Sequence, residues 1–284
     1  MRNTLSPRDL ARAIGVSESS LKRWADDGVI RATRTAGGHR RIARQEAIRF
    51  VRETNARVVR PQILGFLEAG PDGQAPTGSL FEALRQGRPD DVLRRVHGWF
   101  LAGRPLAWIF DGPVAGAMER IGKLWKHGPE GILREHQATD LCVQAIAELR
   151  LALQPPAADA PTAVGAAPIE DPYLLPGLMA AAVVQEAGMR PVNLGPETPL
   201  IVLETAADEQ HAALAWLSVS TARGAEAAKA ALPRTVEALS RLGTHLVVGG
   251  RFAGRLDSIR SPHVTLAASM AELAAFAKGL VAAR

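Results

Sequence analysis

In "WKHGPEGILREH", Trp125 is separated by nine residues from the pair Glu135-His136. Farther on, Tyr173, the only tyrosine in 284 residues, stands between Pro172 and Pro176. An indole offers a flat dispersion surface to a planar ligand. A neutral imidazole is a good ligand for cobalt or iron, and a neighbouring carboxylate can orient it. A phenol titrates near about 10, which makes it a poor metal ligand at neutral pH. As phenolate it suits ferric iron better. Residues of these types are suited to a large planar or metal-bearing group; the alternative is that Trp125 is core, Glu135-His136 a solvated helix end and Tyr173 an ordinary loop residue.

Three segments must position them. The first ends near residue 60. In "LSPRDLARAIG", Ser6 reads as an N-cap, Pro7 as the first helical residue, and Leu10, Ala11 and Ile14 as one face. "SESSLKRWADDG" starts a second short helix at Ser17, turns Leu21 and Trp24 inward and stops at Gly28. Two such helices across a tight turn form a helix-turn-helix. Gly37-Gly38 then reads as a turn between short extended stretches, and "RQEAIRFVRE" as a further helix.

Residues 78–154 carry apolar residues at three- and four-residue spacing, broken by Gly and Pro, and read as a four-helix bundle. Residues 160–284 alternate short apolar runs ("AVGAAP", "PVNLG", "LAWLSVS", "THLVVGG") with helical patterns. That alternation implies an α/β doubly wound, Rossmann-like domain with its ligand site at the carboxyl ends of the strands. "EAGPDGQAPTG" and "QPPAADAPTA" read as linkers.

Charge separates the first segment from the rest. Residues 1–60 hold 14 Lys and Arg against 6 Asp and Glu, a balance of +8, whereas the remainder holds 20 against 23, a balance of −3. A polyanion partner for the N-terminus follows, most simply double-stranded DNA. The single cysteine, Cys142, excludes an internal disulfide framework and a cysteine-cluster metal site, and it is given no role. No apolar run spans a bilayer and no signal-peptide core opens the chain, so the expectation is a cytoplasmic protein without a membrane partner.

The helix-turn-helix followed by "RTAGGHRRI" resembles the N-terminal winged domain of the MerR family of transcription regulators. The expected DNA contacts are Arg8, Ser19, Ser20, Lys22, Arg23, Arg34, His39, Arg40 and Arg41. The second helix is expected to read the major groove through Ser19, Ser20, Lys22 and Arg23, with Arg40 and Arg41 on phosphates. Trp24 reads as core. Nothing between 54 and 77 reads as the long dimerisation helix of that family, so self-association, as dimer or tetramer, falls to the C-terminal segments.

The W-x₉-E-H spacing, with a bundle before a doubly wound domain, resembles the cobalamin-binding, light-responsive MerR repressors of the CarH/LitR group. The resemblance implies a multidomain fold: an all-α winged helix-turn-helix (1–60), a four-helix cap (78–154) and a cobalamin-binding-type domain (160–284). It implies adenosylcobalamin as ligand and light as signal. By the match, Trp125 packs over the upper adenosyl group, Glu135 holds it, and His136 is poised to ligate cobalt. The family's lower histidine, in an H-x-x-G sequence, falls on Tyr173, with Pro176 for the glycine. Elements for the nucleotide tail fall on Ser218, Ser220, Gly249 and Gly250. With Tyr173 in place of a histidine, the candidate metal ligands are His136 and Tyr173. The open alternatives are cobalamin, another tetrapyrrole such as haem or a bilin, and no ligand at all. No catalytic domain remains, so the chain reads as a regulator and not an enzyme. The rivals are a corrinoid enzyme or carrier subunit, and a ligand-free DNA-binding protein controlled by a partner protein.

Overall fold

The computed structural model describes residues 4–54, 56–64, 77–124, 128–257 and 261–283. Two compact units result: residues 1–105 with 112–154, and residues 106–111 with 155–284.

The N-terminal unit begins with strand β1 (Thr4–Leu5) and helices α1 (Pro7–Ile14) and α2 (Glu18–Asp26). Ser6 caps α1: its hydroxyl accepts Asp9 N at 3.1 Å, and the Asp9 carboxylate accepts the Ser6 backbone N–H in return. Gly15, at φ 75°, ends the helix in the left-handed region. The hydroxyl of Ser17 caps α2 by accepting Ser20 N at 3.1 Å. Leu10 and Leu21 are fully buried between the two helices. Strands β2 (Thr33–Arg34) and β3 (Arg40–Ala43) pair antiparallel across Gly37-Gly38, and β1 pairs with the other edge of β3. The N-terminal segment is therefore not all-α: a three-stranded sheet carries the wing, because the pairing of Leu5 with Ile42 buries both side chains.

Helix α3 (Arg44–Thr54) packs Phe50 against Trp24, with ring centroids 5.4 Å apart, so Trp24 is half-buried in the core as expected. The bundle consists of α4 (Thr77–Arg85), α5 (Pro89–Leu101), α7 (Ala115–Gly122) and α8 (Pro129–Ala152). Between α5 and α7 lies the short helix α6 (Leu106–Ile109). Helices α4 and α7 approach closely: a Cβ at Gly116 would lie 2.8 Å from the Thr77 methyl. Helix α3 also rests on α5 and α8, with the Arg52 guanidinium 4.2 Å from the centre of the Phe100 ring.

At that junction His97 is 1 % exposed, with its Nε2 3.7 Å from a Glu148 carboxylate oxygen. Burial, and then the charge of Arg44, push its pKa down from 6.5 to about 4. A base with a depressed folded-state pKa contributes full stability above its unfolded pKa and loses it as the pH falls toward the folded value. The unit should therefore lose roughly 3 kcal/mol from this group between about pH 6.5 and about pH 4. Urea midpoints at pH 7 and pH 5 test this. His97→Leu should show a much shallower acid loss than the native chain, and equal losses would refute the assignment.

From α6 the chain turns through a π-helical segment, Phe110–Val114, that contains Pro113. Leu106–Asp111 packs with the C-terminal unit. Leu106 N donates to a Glu186 carboxylate oxygen at 2.9 Å, and the Asp111 carboxylate accepts Met270 N at 2.8 Å and Ala271 N at 3.0 Å. One helical pattern in the sequence is thus shared between two units.

The C-terminal unit is a five-stranded parallel sheet of order β5-β4-β6-β7-β8. The strands are β4 (Thr162–Pro168), β5 (Arg190–Thr198), β6 (Leu214–Ser218), β7 (His245–Gly249) and β8 (Val264–Ala267). The order reverses at β4, which sets a crevice at the carboxyl ends of β4 and β6. Helices α10 (Leu200–Glu209) and α11 (Ala222–Arg241) cover one face, against Val164, Ala166, Ala215, Leu217, Leu246 and Val248. Helices α9 (Leu174–Glu186) and α12 (Met270–Ala282) contact each other; α9 lies on β4, β5 and β6, and α12 on β8.

Candidate ligand site and DNA interface

Of the residues expected to contact DNA, Arg8, Ser19, Lys22, Arg23, Arg34 and His39 are exposed on α1, α2 and the wing, while Ser20 is half-buried. Lys22 already pairs with Glu18 one turn back at 2.8 Å. In the wing, Arg34 stands opposite Arg40, and Thr33 opposite Arg41. The Arg40 guanidinium ion-pairs with Asp26 at the end of α2. That contact ties the wing to the second helix and commits part of the Arg40 charge within the chain.

In the helical bundle, Trp125 lies outside the described residues. Glu135 and His136 sit in the second turn of α8. Glu135 Oε1 accepts the Thr139 hydroxyl at 3.0 Å, and its other oxygen is 3.9 Å from His136 Nδ1. The His136 side chain is exposed, and one turn away on the same helical face Ile132 and Leu133 are exposed as well. An imidazole flanked by two apolar side chains is an arrangement that a flat apolar ligand with a metal centre fits. Cys142 is buried in the same helix, and burial pushes its thiol up to about 12, so it is inert as a nucleophile.

The other candidates gather at the carboxyl ends of the central strands of the C-terminal unit. Tyr173 is the N-cap residue of α9 and is 51 % exposed. Ser218 ends β6 and is buried, and Gly249 ends β7. Val219 N donates to Gly249 O at 2.7 Å. Gly250 has φ 103°, and a Cβ there would lie 2.5 Å from Val219 O. The close approach that this glycine permits is therefore made by the chain's own backbone.

The residue that organises this end is one the sequence reading passed over. Asp171 is fully buried, and its carboxylate accepts the backbone N–H of Ser220, of Thr221 at 3.1 Å and of Tyr173 at 3.4 Å. Burial raises its pKa, and those three N–H bonds act against the rise. The Thr221 hydroxyl donates to Glu170 O at 2.8 Å and accepts Gly224 N at 2.8 Å, which caps α11. A Cβ at Gly224 would come within 2.9 Å of Asp171 Cβ, so the carboxylate fits only because 224 is glycine. Glu170 and Glu197 both adopt left-handed backbone, at φ 67° and 54°, and Glu170 N donates to Glu197 at 2.8 Å. The loop that carries Tyr173 is thus fastened to the start of α11. The sequence signal for it was an aspartate two residues before the tyrosine, at the end of an apolar run.

Among the described residues, no group of three or more His, Cys, Asp or Glu side chains is arranged to hold a metal ion. No described helix is long and apolar enough to cross a membrane.

Residues 4–54 match the family model described as a helix-turn-helix domain, and residues 78–150 match the one described as a B12 binding domain. The chain joins a helix-turn-helix domain to a B12 binding domain. No curated protein sequence matches it. Among solved structures it is similar to the monomethylamine corrinoid protein of Methanosarcina barkeri. The two are 15 % identical over 71 % of this chain and 96 % of that one, with a TM-score of 0.55, which shows a shared fold. Two others are each 15 % identical, with TM-scores too low to carry an argument. They are the methanol:cobalamin methyltransferase complex of Methanosarcina barkeri (73 % and 80 % covered, TM-score 0.34) and a cobalamin-binding protein of Desulfitobacterium hafniense DCB-2 (72 % and 98 %, TM-score 0.35).

For a B12 group, the two units, each taken by itself, differ in fit. The exposed Ile132, Leu133 and His136 on α8 could hold such a group through apolar contact and a ring nitrogen. The C-terminal unit offers no histidine at the start of α9, and its own side chains and backbone fill the close approaches where a buried tail would lie.

Proposed function

We propose that this chain is a DNA-binding regulator that senses a cobalamin. The observation that carries this reading is the presence of a helix-turn-helix domain and a B12 binding domain on one chain. The N-terminal unit supplies an exposed cationic surface on α1, α2 and the wing for promoter DNA. A bound cobalamin supplies a cobalt centre with an exchangeable axial ligand. The chain's residues do the rest: Ile132 and Leu133 give apolar contact, His136 offers a ring nitrogen, and Glu135, held by Thr139, keeps a carboxylate beside it.

In its finer form, the protein is a MerR-type repressor and not an enzyme. It takes adenosylcobalamin, responds to light, and binds DNA as a dimer or tetramer. Ligand state changes DNA affinity only as far as the ligand binds one assembly better than another. The wing built on β2 and β3 and the Glu135-His136 pair on α8 support this form. A second reading, another tetrapyrrole such as haem or a bilin, is supported by the exposed phenol of Tyr173 at the crevice.

Absorption spectra after dark incubation with adenosylcobalamin, haemin or biliverdin, followed by gel filtration and illumination, test these readings. We expect a cobalamin spectrum that co-elutes with the protein and changes with light, and whose light-exposed form differs in His136→Ala. A Soret band with haemin alone would transfer the site to the second reading. Elution without colour in every arm would refute both.

A further inference from the structure

One buried aromatic has no part in that reading. Trp216 lies in β6, where its register partner on β4 is Gly165. Side chains alternate along a strand, so Trp216 shares a face with Ser218 and points away from the layer of Ala215, Leu217, α10 and α11. A Cβ built on Gly165 would lie 1.8 Å from Cε2 and 1.9 Å from Cδ2 of the Trp216 indole. Those are the two atoms that fuse its rings, so the centre of the bicycle lies directly over Gly165. Trp216 is 2 % exposed and is the largest of the fully buried side chains. Its Nε1–H is buried and has no hydrogen-bond partner among the described residues. A buried indole N–H ordinarily finds an acceptor, and leaving it without one is unfavourable. The ring therefore occupies a space shaped to its outline without being polar-matched to it.

That space continues the face from which Ser218 points, one step deeper along β6. A ligand tail entering from the carboxyl end of the sheet past Ser218 would meet Trp216 next. The tail of a cobalamin ends in a benzimidazole, a planar fused bicycle of nearly the same size and shape as an indole. Two such rings cannot share one slot in a close-packed interior.

We propose that Trp216 is a resident plug of this slot, and that the C-terminal unit takes no nucleotide tail. The protein then recognises a corrinoid through its macrocycle alone and does not distinguish a complete cobalamin from the tail-less cobinamide. This specificity claim rests on the cobalamin reading above; the plug itself does not.

The test uses the full chain and two kinds of probe. First, cyanocobalamin and dicyanocobinamide are titrated into the native protein and Trp216→Ala by calorimetry. The expected native affinities agree within about five-fold, whereas Trp216→Ala prefers the complete cobalamin by at least about ten-fold. A native preference for cobalamin beyond about five-fold would overturn the proposal. Second, free 5,6-dimethylbenzimidazole is added to both proteins and thermal unfolding is followed. Uptake by Trp216→Ala, seen as a raised Tm absent from the native chain, supports the plug even if neither corrinoid binds and the cobalamin reading fails. No uptake by the opened variant would sink the plug. If Trp216→Ala does not fold, Trp216→Leu replaces it in both measurements.

Discussion

Removing both wing arginines, as Arg40→Ala with Arg41→Ala, is expected to weaken binding to every duplex by about 100-fold at physiological salt. Charge-assisted hydrogen bonds contribute about 1.5–3 kcal/mol each, so losing two would exceed that figure if both were unencumbered. Arg40 is not unencumbered, since its guanidinium pairs with Asp26 in the free chain, and part of its contribution is already spent on holding the wing. The slope of log affinity against log salt should flatten by about two, because each neutralised phosphate contributes roughly 0.9. Anisotropy titrations at several salt concentrations on unrelated duplexes would measure both quantities. Loss confined to one base position would contradict the phosphate role. Asp26→Asn separates the two duties of Arg40: stronger binding means that Asp26 competes with DNA, and weaker binding means that the pair positions the wing.

The second large effect lies at Asp171. Replacing it with alanine should destabilise the C-terminal unit by about 3 kcal/mol, since three backbone N–H groups lose a buried carboxylate acceptor. Asn in its place keeps the shape but supplies one oxygen where two now accept, so Asp171→Asn should fall between the native chain and alanine. Tyr173→Phe should leave stability unchanged, because the phenol is exposed and only its backbone N–H enters the network. Urea unfolding followed by amide exchange at Ser220 and Thr221 would report the effect. Asp171→Ala within about 1 kcal/mol of native would show that the hydrogen bonds are not what fastens the loop.

What could be read from the sequence followed from local rules. Ser6, Pro7 and Gly15 mark the ends of α1, and Ser17 starts α2, because capping is decided within one helical turn. The central strands β4, β6 and β7 were visible as short apolar runs with both faces buried. One edge of the sheet was not. The strand β8 has half-buried residues and mixed pattern, and β8 and α12 were missed together. Helix α10 starts at Leu200, although "LIVLE" by its apolar run suits a strand equally well.

The candidate site divides in the same manner. Glu135 and His136 could be singled out as candidates because a spacing motif within one helix is visible in the sequence. Asp171 was not, for its partners Ser220 and Thr221 lie about fifty residues away and contribute backbone N–H groups, which leave no trace in side-chain types. Trp216 was quoted only as part of an apolar strand. Its meaning depends on Gly165 in the adjacent strand, and register across a sheet cannot be read from either strand alone.

The seating of α3 on α5 and α8 bears on how this chain can be taken apart. Composition suggests a border near residue 60, yet the N-terminal residues and the bundle form one compact unit. Excising residues 1–60 would leave Arg52 without the Phe100 ring and Arg44 without the carboxylates of Glu148 and Asp90. The DNA reader is in this sense not portable. A chimera that grafts it onto a foreign sensor must bring the receiving surface of α5 and α8 with it, and one that exchanges only the C-terminal unit need not.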